Sequence, residues 1–254
     1  MSGPPARSFV VDGSVGSGTL GGPDGWASLR ALDAGALDPA LRARLAEEWS
    51  RDALFEHASV GSFDRFSLHL LAVAAPPSLI EDAHQAAIDE ILHARLCFAL
   101  ASAYAGEPLG PGRLPLEGDV LGRLDLPSIA AAAVTEGCVG ETLASLEAAT
   151  ALERATVPAV REALQQIADD EARHAELAWR FVRWALDLGD PDARVAVERA
   201  FREALDAQRP PLPEEDPLVE GLAAHGRLSL RQKRLSFDEG LVEVVAPAAR
   251  ALLG

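Results

Sequence analysis

Asp170-Glu171-Ala172-Arg173-His174 matches an earlier stretch of the chain, Asp89-Glu90-Ile91-Leu92-His93, at three of five positions. Each stretch ends in Glu-x-x-His. Each is also preceded by another glutamate at nearly the same distance: Glu56 lies 34 residues before Glu90, and Glu136 lies 35 before Glu171. On a helix, positions i and i+3 share a face one turn apart, so each Glu-His pair can hold one metal ion from one side. A helical bundle that supplies one Glu from each of two helices and a Glu-x-x-His from each of two others builds a carboxylate-bridged dimetal site.

The rest of the chain suits an all-α protein. Ala and Leu are abundant, aromatic residues make up 5% of the chain, and β-branched runs are short. Residues 1–27 are rich in Gly, Ser and Pro and read as an irregular arm, with a short strand at Ser8–Asp12. Asp38-Pro39, an N-cap followed by proline, opens a helix that runs to about Ala74. A second helix runs from about Ser78 to Ala105 and stops at Gly106. The segment from Pro108 to Pro127 reads as an extended crossover. A third helix spans about Ser128–Glu153 and a fourth about Pro158–Leu188. Beyond them come a helix at about Asp192–Ala207, a proline-broken stretch, a short helix ending near His225, and a last helix from about Ser236. These elements predict a four-helix bundle over 28–190 with one long crossover, and a C-terminal helical extension over 191–254 that packs on it.

Helix geometry brings the glutamates to one level. Glu56 lies about 20 residues before the first inter-helix turn and Glu90 about 14 after it, a mismatch of roughly 8 Å at the rise of an α-helix. Glu136 and Glu171 lie about 19 and 16 residues from the second turn. Facing agrees for two of them. Glu56 shares a stripe with Trp49, Val60, Phe63 and Leu70, while Glu171 and His174 share one with Leu164, Ile167, Ala178 and Phe181. Charged residues on apolar stripes are expected only when paired or coordinating.

Glu141 rivals Glu136 on the third helix, because its height also works and Cys138 and Ala144 beside it are small. Spacing favours Glu136, and both could ligate. Asp89 and Asp170 each precede a ligand glutamate and are candidates to accept the second N–H of an imidazole from a neighbouring helix. Glu81 and His84 read as a surface pair, nine residues before Glu90 and so about half a rotation round the helix from it, and some 20 Å off the level of Glu56. His57 points about 100° away from Glu56 and reads as a bundle-surface or packing residue, while His69 and His225 lack partners at ligand spacing and read as structural. Cys97 and Cys138 are too few and too far apart for a disulfide framework or a CxxC metal site, and Cys97 reads as a small core residue.

Four buried carboxylates would cost several kcal/mol each without cations, and two divalent ions cancel their charge. Carboxylate and imidazole donors without thiolate suit Fe or Mn better than Cu or structural Zn. A formal charge of −16 argues against nucleic acid or an anionic membrane surface as partner. The N-terminus lacks the apolar core of a secretory signal, and no uninterrupted apolar run reaches about 18 residues, so a cytoplasmic protein with no membrane span is expected.

Glu56, Glu90-x-x-His93, Glu136 and Glu171-x-x-His174 together resemble the ferritin-like diiron-carboxylate superfamily, which includes ferritins, rubrerythrins and bacterial diiron oxygenases. The resemblance covers about residues 45–188. It implies that Glu90 and Glu171 bridge two iron ions, that Glu56 and His93 complete one, and that Glu136 and His174 complete the other. Members reduce dioxygen or peroxide at a diferrous centre, so the resemblance implies O2 as co-substrate. It also implies a small-molecule or peptide-borne substrate and electrons from an external reductase or from the substrate itself. The expected activity is that of an O2-dependent oxidase or monooxygenase. Iron handling by a ferroxidase, peroxide removal by an iron or manganese form, and a purely structural metal are the alternatives. Two features depart from the better-known members. No cysteine-rich iron site of the rubrerythrin kind is present, and about 65 residues follow the bundle. Those residues are open to three roles: capping the bundle, shaping a substrate pocket, or forming the interface of a homodimer.

Overall fold

The computed structural model describes residues 34–116 and 118–254, together with 10–11, 14–15, 20–21, 25–26 and 32. Most of the N-terminal arm lies outside the described residues. The expected strand at Ser8–Asp12 is described only at Val10–Val11 (β1), which pairs antiparallel with Ser14–Val15 (β2).

The described residues are mostly helical. Helix α1 (Pro39–Ala72) starts where Asp38 accepts hydrogen bonds from the backbone N–H groups of Ala40 and Leu41 at 2.9 and 3.1 Å. It packs antiparallel along α2 (Pro77–Ala105). Gly106 ends α2 in the left-handed region, φ 81°, where glycine meets no Cβ penalty. The connection that follows is tied down twice: β3 (Leu20–Gly21) pairs with β4 (Gly110–Pro111), and Nε2 of His69 on α1 lies 2.7 Å from the carbonyl of Leu121.

The third rod is one continuous helical stretch, Leu126–Arg154, but not one regular α-helix. It consists of α3 (Leu126–Ala133), a π segment (Val134–Glu141) and α4 (Thr142–Arg154). By length and composition this rod is apolar enough to cross a membrane, with mean hydropathy 1.2 over its best window, half of which is buried in the protein. Charged residues at 136 and 141 interrupt its apolar run, which is why no unbroken span is visible in the sequence. Helix α5 (Pro158–Asp187) packs along α4, along the π segment and against α2.

Helix α6 (Pro191–Asp206) lies against α3, and α7 (Val219–Ala224) touches α1 and α4. The last helix begins earlier than Ser236: α8 (Leu230–Gly240) is opened by Ser229, whose side chain and that of Gln232 form a reciprocal capping box. A second π segment (Leu241–Val245) leads into α9 (Ala246–Leu253).

The interior is layered along the helix axes. One apolar cluster contains Phe63 and Leu70 of α1, Ala83 and Ala87 of α2, Val134 and Leu143, and Leu177 and Phe181 of α5. A second contains Leu45, Trp49 and Ala53 of α1, Ala94 and Phe98 of α2, Ala151, and Leu164 and Ile167 of α5. Between these two sets on α1, α2 and α5 fall Glu56, Glu90, His93, Glu171 and His174, and Glu141 of the third rod joins them from beside Leu143, all buried. A polar layer thus divides two apolar ones. Carboxylates there are costly unless something positive meets them.

Candidate metal centre

Two groups of donors converge in the polar layer: Glu56, Glu90, His93 and Glu171 form one, and Glu90, Glu141, Glu171 and His174 the other. Within each group the donor atoms lie within 4.8 Å of one another. Glu90 and Glu171 belong to both. Glu90 and His93 come from successive turns of one face of α2, and Glu171 and His174 from α5, as the i, i+3 spacing requires. The imidazole centroids are 5.8 Å apart, and both rings point inward.

Each imidazole is held from behind. Nε2 of His93 donates to Asp170 at 2.9 Å, and Nε2 of His174 lies 3.4 Å from Asp89. The pairing is crossed: the carboxylate on each helix holds the histidine of the other. Gln85 donates to Asp89 at 2.8 Å, and Gln166 donates to Asp170 at 2.9 Å, each from one turn earlier. Arg173 bonds Asp170 directly and lies 3.5 Å from Asp89, so one guanidinium touches both carboxylates. Leu92 occupies the corresponding position on α2.

With Nε2 engaged, Nδ1 of each ring faces the carboxylates. Nδ1 of His93 lies 3.6 Å from Glu90 and 3.9 Å from Glu171; Nδ1 of His174 lies 3.3 and 3.7 Å from the same two residues. None of these contacts is a hydrogen bond. Both Nδ1 atoms and both oxygens of the wholly buried Glu90 have no hydrogen-bond partner. Buried polar atoms are rarely left so, and a set that converges on one space suits a cation better than a proton. The buried Glu and His groups therefore could hold a metal ion.

The electrostatics agree. Burial pushes the imidazole of His93 down, but the hydrogen bond to Asp170 and the nearby carboxylates of Glu90 and Glu56 outweigh it, raising it to about 10. His174 is raised to about 12 against burial, through Asp89, Glu171 and Glu90. Burial and the neighbouring Glu171 work to push Glu90 up, yet the two imidazoles hold it below the ordinary carboxylate value. Without an ion, the site recruits protons as its positive charge.

No family model, no curated protein and no solved structure matches this chain. What the site can do therefore rests on its own geometry.

Of the donors expected from spacing, Glu56, Glu90, His93, Glu171 and His174 come together. Glu136 does not. Its side chain is 42% exposed and pairs with Arg65 of α1 at 2.5 Å, outside both donor groups. Glu141 stands in its place. The reason is facing: Glu141 continues the buried stripe Ala130, Val134, Cys138, whereas Glu136 lies off it. Local packing then fixes Glu141. A Cβ on Gly137 would meet Cβ of Ala178 at 2.3 Å, so only glycine lets the π segment lie this close to α5. Immediately after Glu141, Thr142 accepts a hydrogen bond from the indole of Trp179 at 3.1 Å, and that indole stacks on Phe201 of α6. A π segment adds a residue per turn and is common beside functional sites.

The remaining candidates pack as ordinary residues. His57 meets Trp26 edge to face at 5.2 Å, Glu81 and His84 are exposed, and Cys97 and Cys138 are buried without joining a donor group.

Proposed function

We propose that the protein is a non-haem diiron oxidoreductase on a ferritin-like four-helix bundle, α1, α2, the third rod and α5, with one long crossover between α2 and α3. It would use O2 to oxidise or hydroxylate a small or peptide-borne substrate in the cytoplasm, with electrons from a separate reductase or the substrate. The observation that carries this reading is the set of buried, unbonded donors, both Nδ1 atoms and both Glu90 oxygens, converging between two apolar layers.

Glu90 and Glu171, common to both donor groups, are the residues suited to span two ions. Glu56 and His93 would complete one position, and Glu141 and His174 the other. The set is oxygen-rich with two imidazoles and no thiolate, which favours iron, with manganese as the alternative. Iron bound here would supply redox chemistry towards O2. The chain's own part is to fix geometry and exclude water. Asp170 accepts a hydrogen bond from Nε2–H of His93, and Asp89 stands 3.4 Å from Nε2 of His174, so Nδ1 of each imidazole is turned to the cluster. Phe63 covers His174, with ring centroids 4.8 Å apart. The apolar layers keep the local dielectric low, which strengthens charge interactions inside.

Metal analysis of protein from iron-supplemented cells, then anaerobic reduction and O2 exposure with optical monitoring, tests the reading. Two irons per chain and an O2-dependent spectral change support it. Bound ions that ignore O2 would leave only a structural role. O2 uptake in fixed proportion to iron, with release of ferric product and no substrate oxidised, would point instead to iron handling.

A further inference from the structure

The chain contains one tyrosine, Tyr104, and the donor cluster does not use it. It is 1% exposed, in the same apolar layer as Trp49, Cys97 and Phe98. Its hydroxyl lies 2.7 Å from Nδ1 of His225, which follows α7, and the two rings meet edge on at 5.5 Å. Burial pushes His225 below the ordinary imidazole value and pushes the phenol up. In the Nε2–H tautomer of a neutral imidazole, Nδ1 presents a lone pair to the phenol, and the O–H donates to it. That is a phenol with a proton acceptor already in place.

The other oxidisable groups of this layer are arranged differently. The guanidinium of Arg227 lies over the ring of Trp49, 4.6 Å from its centroid, locked by Asp52 and 3.7 Å from Glu48. A fixed cation there opposes removal of an electron from the indole. Burial raises the thiol of Cys97 and keeps it protonated. Tyr104 differs from Trp49, whose indole N–H has no hydrogen-bond partner among the described residues, in that its proton has an acceptor 2.7 Å away, so it can lose an electron without leaving a new charge on itself.

We propose that Tyr104 is a redox-active residue, whose phenol on one-electron oxidation gives its electron to the oxidant and its proton to Nδ1 of His225. The O–H bond breaks, an N–H bond forms, and a neutral tyrosyl radical remains beside an imidazolium. In the cell, iron held by the donor cluster would supply the one-electron oxidant through its chemistry with O2, and to that extent the inference rests on the proposed function. Tyr104 follows His93 by 11 residues on α2, about 16 Å along the helix axis. An electron drawn from it would quench an oxidised centre that meets no substrate.

The test separates the residue from the metal. Metal-free protein is oxidised with a photogenerated ruthenium(III) polypyridyl complex and followed by electron paramagnetic resonance. Wild-type protein should give a tyrosyl signal that forms more slowly in D2O, and Tyr104→Phe should lose it. His225→Gln can accept the hydrogen bond but cannot hold the proton, and should slow tyrosyl formation about 100-fold. Tryptophan radicals alone in the wild type, or no D2O effect together with an unchanged rate in His225→Gln, would overturn the proposal. A second arm exposes the reduced, iron-loaded protein to O2. A tyrosyl signal there supports both readings. Its absence, in protein that passes the first arm and shows no reaction with O2, counts against the diiron reading and leaves the Tyr104–His225 pair standing.

Discussion

Asp170 on α5 accepts a hydrogen bond from His93 on α2 at 2.9 Å, although it is adjacent in sequence to Glu171, a donor on its own helix. Each helix thus contributes a Glu-His pair to the cluster and a carboxylate that lies behind the partner helix's imidazole. Asp170→Asn should weaken metal binding about 10–100-fold while leaving the far-ultraviolet circular dichroism unchanged. Asp89→Asn should do less, since its contact with His174 is longer, at 3.4 Å. Equilibrium titration with Fe(II) or Mn(II) under anaerobic conditions measures both, and unaltered affinity in Asp170→Asn would show that the contact is incidental.

Metal binding should release protons. His93 and His174 sit at about 10 and 12 in the metal-free protein, so both imidazoles are charged at neutral pH. An ion on Nδ1 must displace that proton, and affinity therefore rises with pH. For the metal-free fold the sign is opposite. Both values lie above the ordinary 6.5, so their stabilisation is complete below that pH and is lost as pH climbs through 10 towards 12. Titration in weak buffer near pH 7 should record about one proton released per imidazole engaged, and none would contradict the assignment.

Glu141 and Glu136 give a direct contrast on one rod. Glu141→Ala removes a donor from the group containing His174, and should cost one of the two ion positions. Glu136→Ala breaks only a partly exposed pair with Arg65 and should leave metal stoichiometry intact. Inductively coupled plasma analysis of the two variants decides the matter. Loss of metal in Glu136→Ala alone would reverse the assignment.

Arg227 is a purely structural prediction. Its buried guanidinium meets Asp52 and Glu48 and covers Trp49, joining the chain after α7 to α1. Arg227→Met takes from Asp52 the guanidinium that bonds it, while Glu48 keeps Arg44 at 2.8 Å, and should destabilise the fold by about 2 kcal/mol in urea unfolding. Asp52 is desolvated, which favours its neutral form, but Arg227 holds it below its ordinary 3.8. The pair's contribution is therefore present above that pH and lost on acidification through the depressed value, so wild type and variant should converge in acid. A gap that persists unchanged in acid would rule out the ion pair as its source.

Much of the helical order was legible from local signals: Asp38-Pro39 opening α1, Gly106 closing α2, and the prolines beginning α5 and α6. The polar layer was legible because carboxylates on apolar stripes need a reason to be there. Glu136 shows where spacing misleads. Counting residues to the next motif matches the two hairpins, but burial follows facing, and the stripe Ala130, Val134, Cys138 leads to Glu141. Neither π segment could be read in advance, since each depends on how closely the neighbouring helix approaches, as at Gly137 and Ala178. The early start of α8 was available in Ser229 and Gln232. The bond between Tyr104 and His225 was not, because 121 residues separate its partners.

The single guanidinium of Arg173 breaks the likeness between the two hairpins. It grips the carboxylate behind one imidazole and only approaches the carboxylate behind the other, and α2 offers Leu92 where a matching arginine would stand. Two ions entering this layer would meet unequal support, so occupancy should proceed in order, with a half-filled intermediate. The duplication visible in the sequence would then yield a centre with a tight seat and a loose one.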